Sequence, residues 1–202
     1  MSTLADRNGA ALLVIDVQRD VFASAHDRDG VVQRIVGLVE RARHVGAPVI
    51  WVQHSDEGLT YGSDGWRIVD ELEPAAGEAI VEKVWGDSFE DTNLEDVLAQ
   101  ATTSEIVVVG GQTDFCVRST LHGGIVRGYD MTLVSDAHTT EDLREWLPEV
   151  PDPASVIAHT NAYWAGQQAP GRTSRVIAAS DVTFDARETP ESAVEPSESH
   201  RI

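Results

Sequence analysis

Three residues with complementary chemistry each follow an apolar stretch of the chain. Asp16 follows ALLVI, Lys83 follows AIVE, and Cys116 lies shortly after EIVVVG in the stretch VVVGGQTDFCVRST. A cysteine thiol can act as a nucleophile, a carboxylate can accept its proton, and an ammonium group favours the anionic form of both. Cys116 is the only cysteine of the chain and Lys83 is its only lysine. These residue types suffice for cysteine-based nucleophilic catalysis, provided that the fold brings them together.

Each of the three residues also has a purely structural interpretation. An aspartate after a strand is often a turn or cap residue, a lysine there is usually solvated, and a free cysteine in a first helical turn is often buried packing. Their joint placement favours the catalytic interpretation. A helix N-terminus and a nearby ammonium would favour the Cys116 thiolate, whereas partial burial would raise the pKa of Asp16 and improve it as a base.

Strand-like apolar runs alternate with helix-like segments along the chain. Strands are expected at residues 11–16, 48–53, 79–83, 105–110, 129–136 and 174–182, and helices at 31–45, 66–72, 92–100, 113–127, just before 147, and 153–164. This alternation is typical of right-handed βαβ crossovers. We therefore predict an α/β fold, a Rossmann-like three-layer α/β/α sandwich around a six-stranded, mainly parallel sheet.

The predicted sheet would bring the three residues to one edge. In open parallel sheets, ligands bind beyond the carboxyl ends of the strands, in the crevice where the strand order reverses. The first and third strands end at Asp16 and Lys83, and the fourth ends just before Cys116. Gly110 and Gly111 allow a sharp turn there, and backbone amides at the following helix start point to where an oxyanion would form. GGQTDF matches neither a GxGxxG nor a Walker phosphate loop, so a phosphate site is a weak alternative.

The composition limits the cellular setting and the partners. The formal net charge is -19, which would repel nucleic acids and anionic membranes, so we expect neither as a partner. A single cysteine, the absence of a membrane-length apolar run and an N-terminus without a secretion-signal pattern predict a cytoplasmic protein. We expect one domain over residues 1–184, followed by an acidic, flexible tail at residues 185–202.

Five sequence blocks, taken in order, resemble the isochorismatase-like cysteine hydrolases, a superfamily that includes nicotinamidases and N-carbamoylsarcosine amidohydrolase. The resemblance covers residues 10–184 and rests on ALLVIDVQRDVF, EKVWGDSFEDTNLEDVL, VVVGGQTDFCVRST, LVSDAHTTED and VIAHTNAYW. It implies the isochorismatase-like fold and a catalytic triad of Asp16, Lys83 and Cys116. It also implies a cis peptide bond at Gly111–Gln112 and an oxyanion hole made of the amides of Gln112 and Cys116.

The resemblance implies a hydrolase that cleaves a C–N bond of a small amide, carbamoyl or ureido compound, through a thioester and without a cofactor. Family members that act on the vinyl ether of isochorismate lack the cysteine, so Cys116 favours C–N chemistry. Nicotinamidases carry an Asp-x-His pair and a further His for a divalent metal, whereas this chain has His54 and Asp56 without a second nearby His. We therefore expect no metal site. Family members commonly form dimers or tetramers, which implies a homodimer or a homotetramer.

The expected substrate pocket lies near the same edge, and its candidate lining residues are Phe22, His54, Trp85, Phe89, Phe115 and His138. Ordinary packing is the alternative for each of them. Two other functions remain open: a non-catalytic or redox-sensing binding module on the same fold, and a metal-dependent nicotinamidase. A phospho-acceptor receiver domain also places Asp and Lys at strand ends, but it needs clustered acids after the first strand and leaves Cys116 unexplained.

Overall fold

The apolar strands predicted from the sequence form one sheet. The computed structural model describes residues 2–184, so the predicted tail at 185–202 lies outside the described residues. The strands are β1 Gly9–Ile15, β2 Val49–His54, β3 Ala79–Lys83, β4 Thr103–Gly111, β5 Asp130–Thr139 and β6 Ser174–Ile177. Their order across the sheet is β3-β2-β1-β4-β5-β6, and all neighbouring pairs are parallel. The predicted six-stranded α/β sheet is confirmed.

Helices cover both faces of this sheet. They are α1 Arg19–Phe22, α2 Arg28–His44, α3 Leu94–Gln100, α4 Arg118–Arg127 and α5 Pro153–Ala165, with 3-10 turns at Leu143–Glu145 and Ala179–Asp181 and a π-helical turn at Thr113–Val117. Leu12 and Val14 of β1 pack in the core that α2 shares, whereas Leu13 and Ile15 pack in the core that contains residues of α3 and α4. Because both faces are covered, the central strand β1, with the sequence GAALLVI, carries no polar side chain. The predicted three-layer sandwich is confirmed.

The prediction of a helix at residues 66–72 is wrong, because this segment forms turns. Its backbone pairs instead with the chain that follows β1: the N–H of Arg19 donates to the carbonyl of Arg67, and the N–H of Val69 donates to the carbonyl of Val17. Backbone groups that are used in this way are not available for helical hydrogen bonds. None of the helices in residues 2–184 is long and apolar enough to cross a membrane.

The strand order reverses at the centre of the sheet, between β1 and β4. β1 pairs with β2 on one side and with β4 on the other. In such sheets a crevice opens at the carboxyl ends of the two central strands. Because all strands run the same way, the ends of β1, β3 and β4 lie at a common edge.

Gly110 allows β1 and β4 to approach closely at this edge. Its φ is +117°, a conformation that L side chains rarely adopt, and a Cβ atom added there would lie 2.0 Å from the carbonyl oxygen of Ile15. A side chain at this position would push the two central strands apart directly beside Asp16.

We expect Gly110→Ala to lower the free energy of unfolding by at least about 3 kcal/mol, because backbone strain and steric overlap add. Gly37→Ala is the control, since an added Cβ in this part of α2 meets no heavy atom within 4 Å. It should leave the stability unchanged or raise it by up to about 1 kcal/mol. Chemical denaturation measures both variants. A Gly110→Ala protein as stable as the wild type would contradict the close approach of β1 and β4.

Candidate active site

The side chain of Lys83 is the centre of a polar cluster at the carboxyl edge of the sheet. Its Nζ lies 2.8 Å from Oδ2 of Asp16 and donates to Sγ of Cys116 at 3.1 Å. It also donates to the backbone carbonyl of Trp85 at 3.1 Å and lies 3.3 Å from Nδ1 of His54. The Lys83 side chain is 0% exposed, so its ammonium depends on these partners rather than on bulk water. The structure thus brings together Asp16, which follows β1, Lys83, which ends β3, and Cys116, which follows β4.

Asp16 is the first residue after β1, and its backbone adopts an uncommon conformation. Its φ is +49°, a region that aspartate tolerates better than most residues. Its N–H donates to the carbonyl of Val52 in β2 at 3.0 Å, which ties it to the neighbouring strand. The side chain is 2% exposed, and Oδ1 has no hydrogen-bond partner within residues 2–184. Oδ2 therefore pairs with Lys83, and the carboxylate also interacts with the Cys116 thiol, whose pKa it raises.

Cys116 lies on the π-helical turn that precedes α4. The helix predicted at residues 113–127 thus begins with a wider turn, in which the N–H of Val117 donates to the carbonyl of Gln112 at 3.2 Å. The peptide bond between Gly111 and Gln112 is cis, as the resemblance implied. π-Helical turns are rare and frequently occur at functional sites. The turn places the Cys116 thiol beside Lys83, and Gln112 lines the same cavity.

Two further side chains connect this cluster to the ends of β1 and β2. The ring of His54 lies between two charged groups, with Nδ1 3.3 Å from Nζ of Lys83 and Nε2 3.1 Å from Oδ2 of Asp56. Gln18 accepts from the N–H of His54 at 2.8 Å through Oε1 and donates to the carbonyl of the same residue at 3.0 Å through Nε2. Gln18 was not among the predicted site residues. Its signals in the sequence are a polar side chain soon after a buried strand and its place in the first block of the family resemblance.

Burial controls the titration of the cluster. Burial raises the pKa of Asp16, and the charge of Lys83 offsets only part of this increase. Burial would lower the pKa of Lys83, but the interactions with Asp16 and Cys116 together outweigh it and hold that pKa above the ordinary value of 10.5. Burial and then the charge of Asp16 raise the pKa of Cys116 to about 12, although Lys83 acts in the opposite direction. Lys83 favours the thiolate, as expected, but desolvation and the charge of Asp16 outweigh its effect on the thiol pKa.

A cavity of about 390 Å³ opens over Asp16 and Cys116, a volume that suits a small molecule. Its lining residues are Asp16, Asp20, Val21, His54, Asp56, Gly58, Leu59, Gln112, Phe115, Cys116 and Glu141. His54 and Phe115 had been predicted as pocket residues. Asp16, Gln112 and Cys116 are also predicted site residues. The remaining wall comes from segments after β1, β2 and β5, two of which lie in blocks of the family resemblance but had no predicted role in the pocket.

The other four predicted pocket residues do not line this cavity. Phe22 is 0% exposed and packs in the core beside α2. Phe89 is buried in the core on the opposite face of the sheet. His138 is buried in β5, where its Nδ1 lies 2.8 Å from Oγ1 of Thr113 and supports the π-helical turn from behind. Trp85 is exposed, and only its backbone carbonyl contacts the cluster.

The donors around His54 do not suit a metal ion. Both ring nitrogens of His54 already lie within hydrogen-bond distance of Lys83 or Asp56, and an adjacent ammonium disfavours a second cation. In residues 2–184, no group of three or more His, Cys, Asp or Glu side chains could hold a metal. The nicotinamidase pattern of an Asp-x-His pair with a further His is therefore not reproduced by these side chains.

Comparisons with known proteins agree on one family. The family model described as Isochorismatase domain matches residues 10–146. Streptothricin hydrolase from Streptomyces noursei is 34% identical over 163 residues, which cover 77% of this chain and 64% of that protein. Ureidoacrylate amidohydrolase RutB from Methylobacterium radiotolerans is 28% identical over 169 residues, which cover 62% of this chain and 65% of that protein. The chain thus spans less than two thirds of the length of each of these relatives.

A solved structure agrees with the sequence comparisons. The crystal structure of an isochorismatase from Pseudomonas putida KT2440 superposes with a TM-score of 0.77 and 26% sequence identity, covering 89% of this chain and 91% of that chain. The resemblance drawn from the sequence blocks is confirmed by both kinds of comparison.

We expect Asp16→Asn to lower the pKa of the Cys116 thiol, because the variant loses the carboxylate that disfavours the thiolate and keeps Lys83. The rate of alkylation by iodoacetamide follows the thiolate fraction, which rises with pH toward the thiol pKa. Between about pH 7 and pH 10 the variant should therefore react faster than the wild type, by about tenfold for each unit by which the pKa falls. Since Cys116 is the only cysteine, a gain in intact mass that a Cys116→Ala protein does not show reports alkylation of this residue.

Asp91→Asn is the matched control for this measurement. Asp91 is also an aspartate with a positive φ, +52°, but its side chain is exposed and does not line the cavity. Its alkylation profile should match that of the wild type. A slower reaction of Asp16→Asn, or an equal acceleration in both variants, would contradict the electrostatic effect assigned to Asp16.

Proposed function

The chain belongs to the isochorismatase family, and we propose that it is a hydrolase that cleaves a C–N bond of a small amide, carbamoyl or ureido compound. In this proposal Cys116 is the nucleophile, Asp16 is the general base and acid, and Lys83 holds the two in place. The name of the related ureidoacrylate amidohydrolase supports amide-type chemistry. The proposed reaction needs no cofactor.

The observation that carries the proposal is one buried ammonium shared by a carboxylate and a thiol. Nζ of Lys83 lies 2.8 Å from Oδ2 of Asp16 and 3.1 Å from Sγ of Cys116. Both acidic partners line a cavity of about 390 Å³, where a small molecule can reach them. An ion pair that only stabilised the fold would not need a neighbouring thiol that lines the cavity. The combination is the arrangement of nucleophile, base and orienting group that covalent catalysis requires.

The first half-reaction forms a thioester. As Sγ of Cys116 attacks the carbonyl carbon of the substrate, the thiol proton passes to the carboxylate of Asp16, so the enzyme does not need a resting thiolate. The raised pKa of Asp16 suits a group that takes up a proton and returns it. The amides of Gln112 and Cys116 donate to the oxyanion of the tetrahedral intermediate. Asp16 then protonates the leaving nitrogen as the C–N bond breaks, and an amine or ammonia departs.

The second half-reaction hydrolyses the thioester. Asp16 accepts a proton from a water molecule whose oxygen attacks the thioester carbonyl carbon. The C–S bond breaks as the new tetrahedral intermediate collapses, and the departing sulfur of Cys116 regains a proton from Asp16. The acid product leaves, and both side chains return to their starting state. Lys83 keeps its proton throughout and holds the carboxylate and the sulfur side by side.

The two alternative functions receive less support. Redox-sensing cysteines are accessible thiols with a lowered pKa, whereas burial raises the pKa of Cys116 to about 12. A metal-dependent nicotinamidase needs free metal ligands, whereas both ring nitrogens of His54 already contact other side chains. These observations favour C–N hydrolysis that uses the thiol and no metal.

The proposal includes the setting of the enzyme. We take residues 1–184 as the hydrolase domain, which is supported by the packing of Phe184 in the core beside α2. A catalytic thiol is preserved in a reducing compartment, which supports a cytoplasmic location. Self-association as a homodimer or a homotetramer is supported by large apolar side chains that remain exposed, among them Trp85, Trp146 and Leu147.

The function is tested by a screen for release of ammonia or amine from small amide, carbamoyl and ureido compounds. We expect the wild type to turn over at least one of them, and Cys116→Ala to lose at least about a thousandfold in kcat/KM. Lys83→Arg keeps the charge but should lose at least about a hundredfold, because the larger guanidinium does not fit the 0% exposed position of the ammonium. Arg67→Lys, at a side chain that is 63% exposed, is the control and should retain full activity.

Rapid acid quenching followed by mass measurement of the intact protein should trap the acyl group on Cys116. Full turnover by Cys116→Ala on the same substrate would refute its role as the nucleophile. Near-normal activity of Lys83→Arg would refute the role assigned to the ammonium.

A further inference from the structure

The wall of the cavity over Cys116 carries acidic side chains that are not paired with any arginine or lysine of the described residues. Asp20, Asp56 and Glu141 line it, and no arginine or lysine of the described residues does. Lys83 lies beneath this wall, 0% exposed, and its charge is compensated by Asp16. A concave surface with charges of one sign and walls of low dielectric constant concentrates the electrostatic field. The mouth of the cavity therefore has a negative potential.

Arginines on the neighbouring segments do not neutralise this wall. Arg19 is adjacent to Asp20 in the chain, but it forms ion pairs with two other aspartates. Arg144 follows Glu141 closely, but it pairs with Asp142 at 2.5 Å. Within residues 2–184, neither Asp20 nor Glu141 takes part in an ion pair, so both remain available to a positively charged ligand.

The carboxylate of Asp56 is held in place at the cavity wall. Its Oδ1 accepts from the N–H of Gly58 at 2.8 Å and from the N–H of Leu59 at 2.7 Å, and its Oδ2 lies 3.1 Å from Nε2 of His54. These contacts, with His54 first, lower the pKa of Asp56, so it is ionised at neutral pH. The group is a fixed negative charge rather than a freely moving surface side chain.

The other two carboxylates are also positioned by their neighbours. Asp20 lies against Gly65 so closely that a Cβ added to that glycine would meet Oδ2 at 1.8 Å. The hydroxyl of Ser24 donates to Oε2 of Glu141 at 3.3 Å. A fourth acidic group, the carboxylate of Asp16, also lines this cavity and is paired with Lys83.

We infer that the substrate of the proposed hydrolase is a cation, a small molecule with an ammonium or guanidinium group in addition to the C–N bond that is cleaved. The inference rests on the proposed function. The charged group interacts with Asp20, Asp56 and Glu141 at the mouth of the cavity, while the reacting amide lies over Cys116. A compound of the same size with a carboxylate in place of the cationic group is repelled by the same wall.

The test uses the only cysteine of the chain as a probe of the cavity. Three methanethiosulfonates with similar ethyl-linked groups are compared: the cationic trimethylammonium, the neutral hydroxyl and the anionic sulfonate reagent. In each reaction the Cys116 thiol loses its proton to the buffer, the sulfur forms a disulfide with the reagent sulfur, and methanesulfinate leaves. The mass of the intact protein gives the three rates at low ionic strength. The same chain unfolded in urea gives the intrinsic rate ratio of the reagents.

We expect the cation-to-anion rate ratio in the folded protein to exceed that of the unfolded chain by at least about tenfold. The double variant Asp20→Asn, Glu141→Gln should lower this ratio by at least about fivefold. The control is Glu40→Gln, Asp96→Asn, which removes the same charge from exposed residues that do not line the cavity. It should keep the wild-type ratio, because screening weakens distant charges.

Three results would overturn the inference. They are equal ratios in the folded and unfolded chains, an equal loss in the two double variants, and failure of even the neutral reagent to reach Cys116 in the folded protein. These rates do not depend on hydrolysis, so the two proposals fail separately. If the charge preference is absent but Cys116 is shown to be the nucleophile, only the cationic substrate is rejected. If Cys116→Ala retains full turnover, only the proposed function is rejected.

Discussion

The rest of the site depends on one buried ammonium. Transfer of the Lys83 charge out of water costs several kcal/mol, and the carboxylate of Asp16 at 2.8 Å supplies the main compensation. Cys116, His54 and the carbonyl of Trp85 provide three more neighbours within 3.3 Å. An ammonium has three protons, so it cannot bond fully to all four neighbours at once. Lys83 can therefore follow negative charge as it moves between carboxylate and sulfur during a reaction.

The sheet makes this cluster possible because it brings together residues that are distant in sequence. Asp16 and Lys83 belong to strands that are separated by β2, and Cys116 enters from β4 on the other side. The positive φ of Gly110 lets β1 and β4 approach closely at this edge, and Gln18 binds both backbone groups of His54 at the end of β2. The packing of the apolar strands thus sets the distances among Asp16, Lys83 and Cys116 on which the proposed catalysis depends.

The sequence predicts the parts of the site that depend on strand ends, but not those that depend on loop packing or desolvation. Asp16 and Lys83 could be placed because the apolar runs before them mark parallel strands. The cavity wall could not, because the position of Glu141 depends on an antiparallel bridge to Ala25, a tertiary pairing without sequence periodicity. The sequence predicts aromatic residues such as Phe22 in the pocket, but Phe22 packs in the hydrophobic core instead. The raised pKa of the Cys116 thiol could not be predicted either, because its burial is known only from the fold.

The protonation state of Lys83 is the most direct test of this arrangement. Because Lys83 is the only lysine, isotope labelling of lysine gives a single side-chain signal in NMR spectra, and its shift can be followed against pH. We expect the wild-type ammonium to keep its proton past the ordinary pKa of 10.5, and Asp16→Asn to bring the titration to lower pH, since burial then acts without a compensating carboxylate. A wild-type Lys83 that loses its proton below 10.5 would contradict the shared, charged cluster.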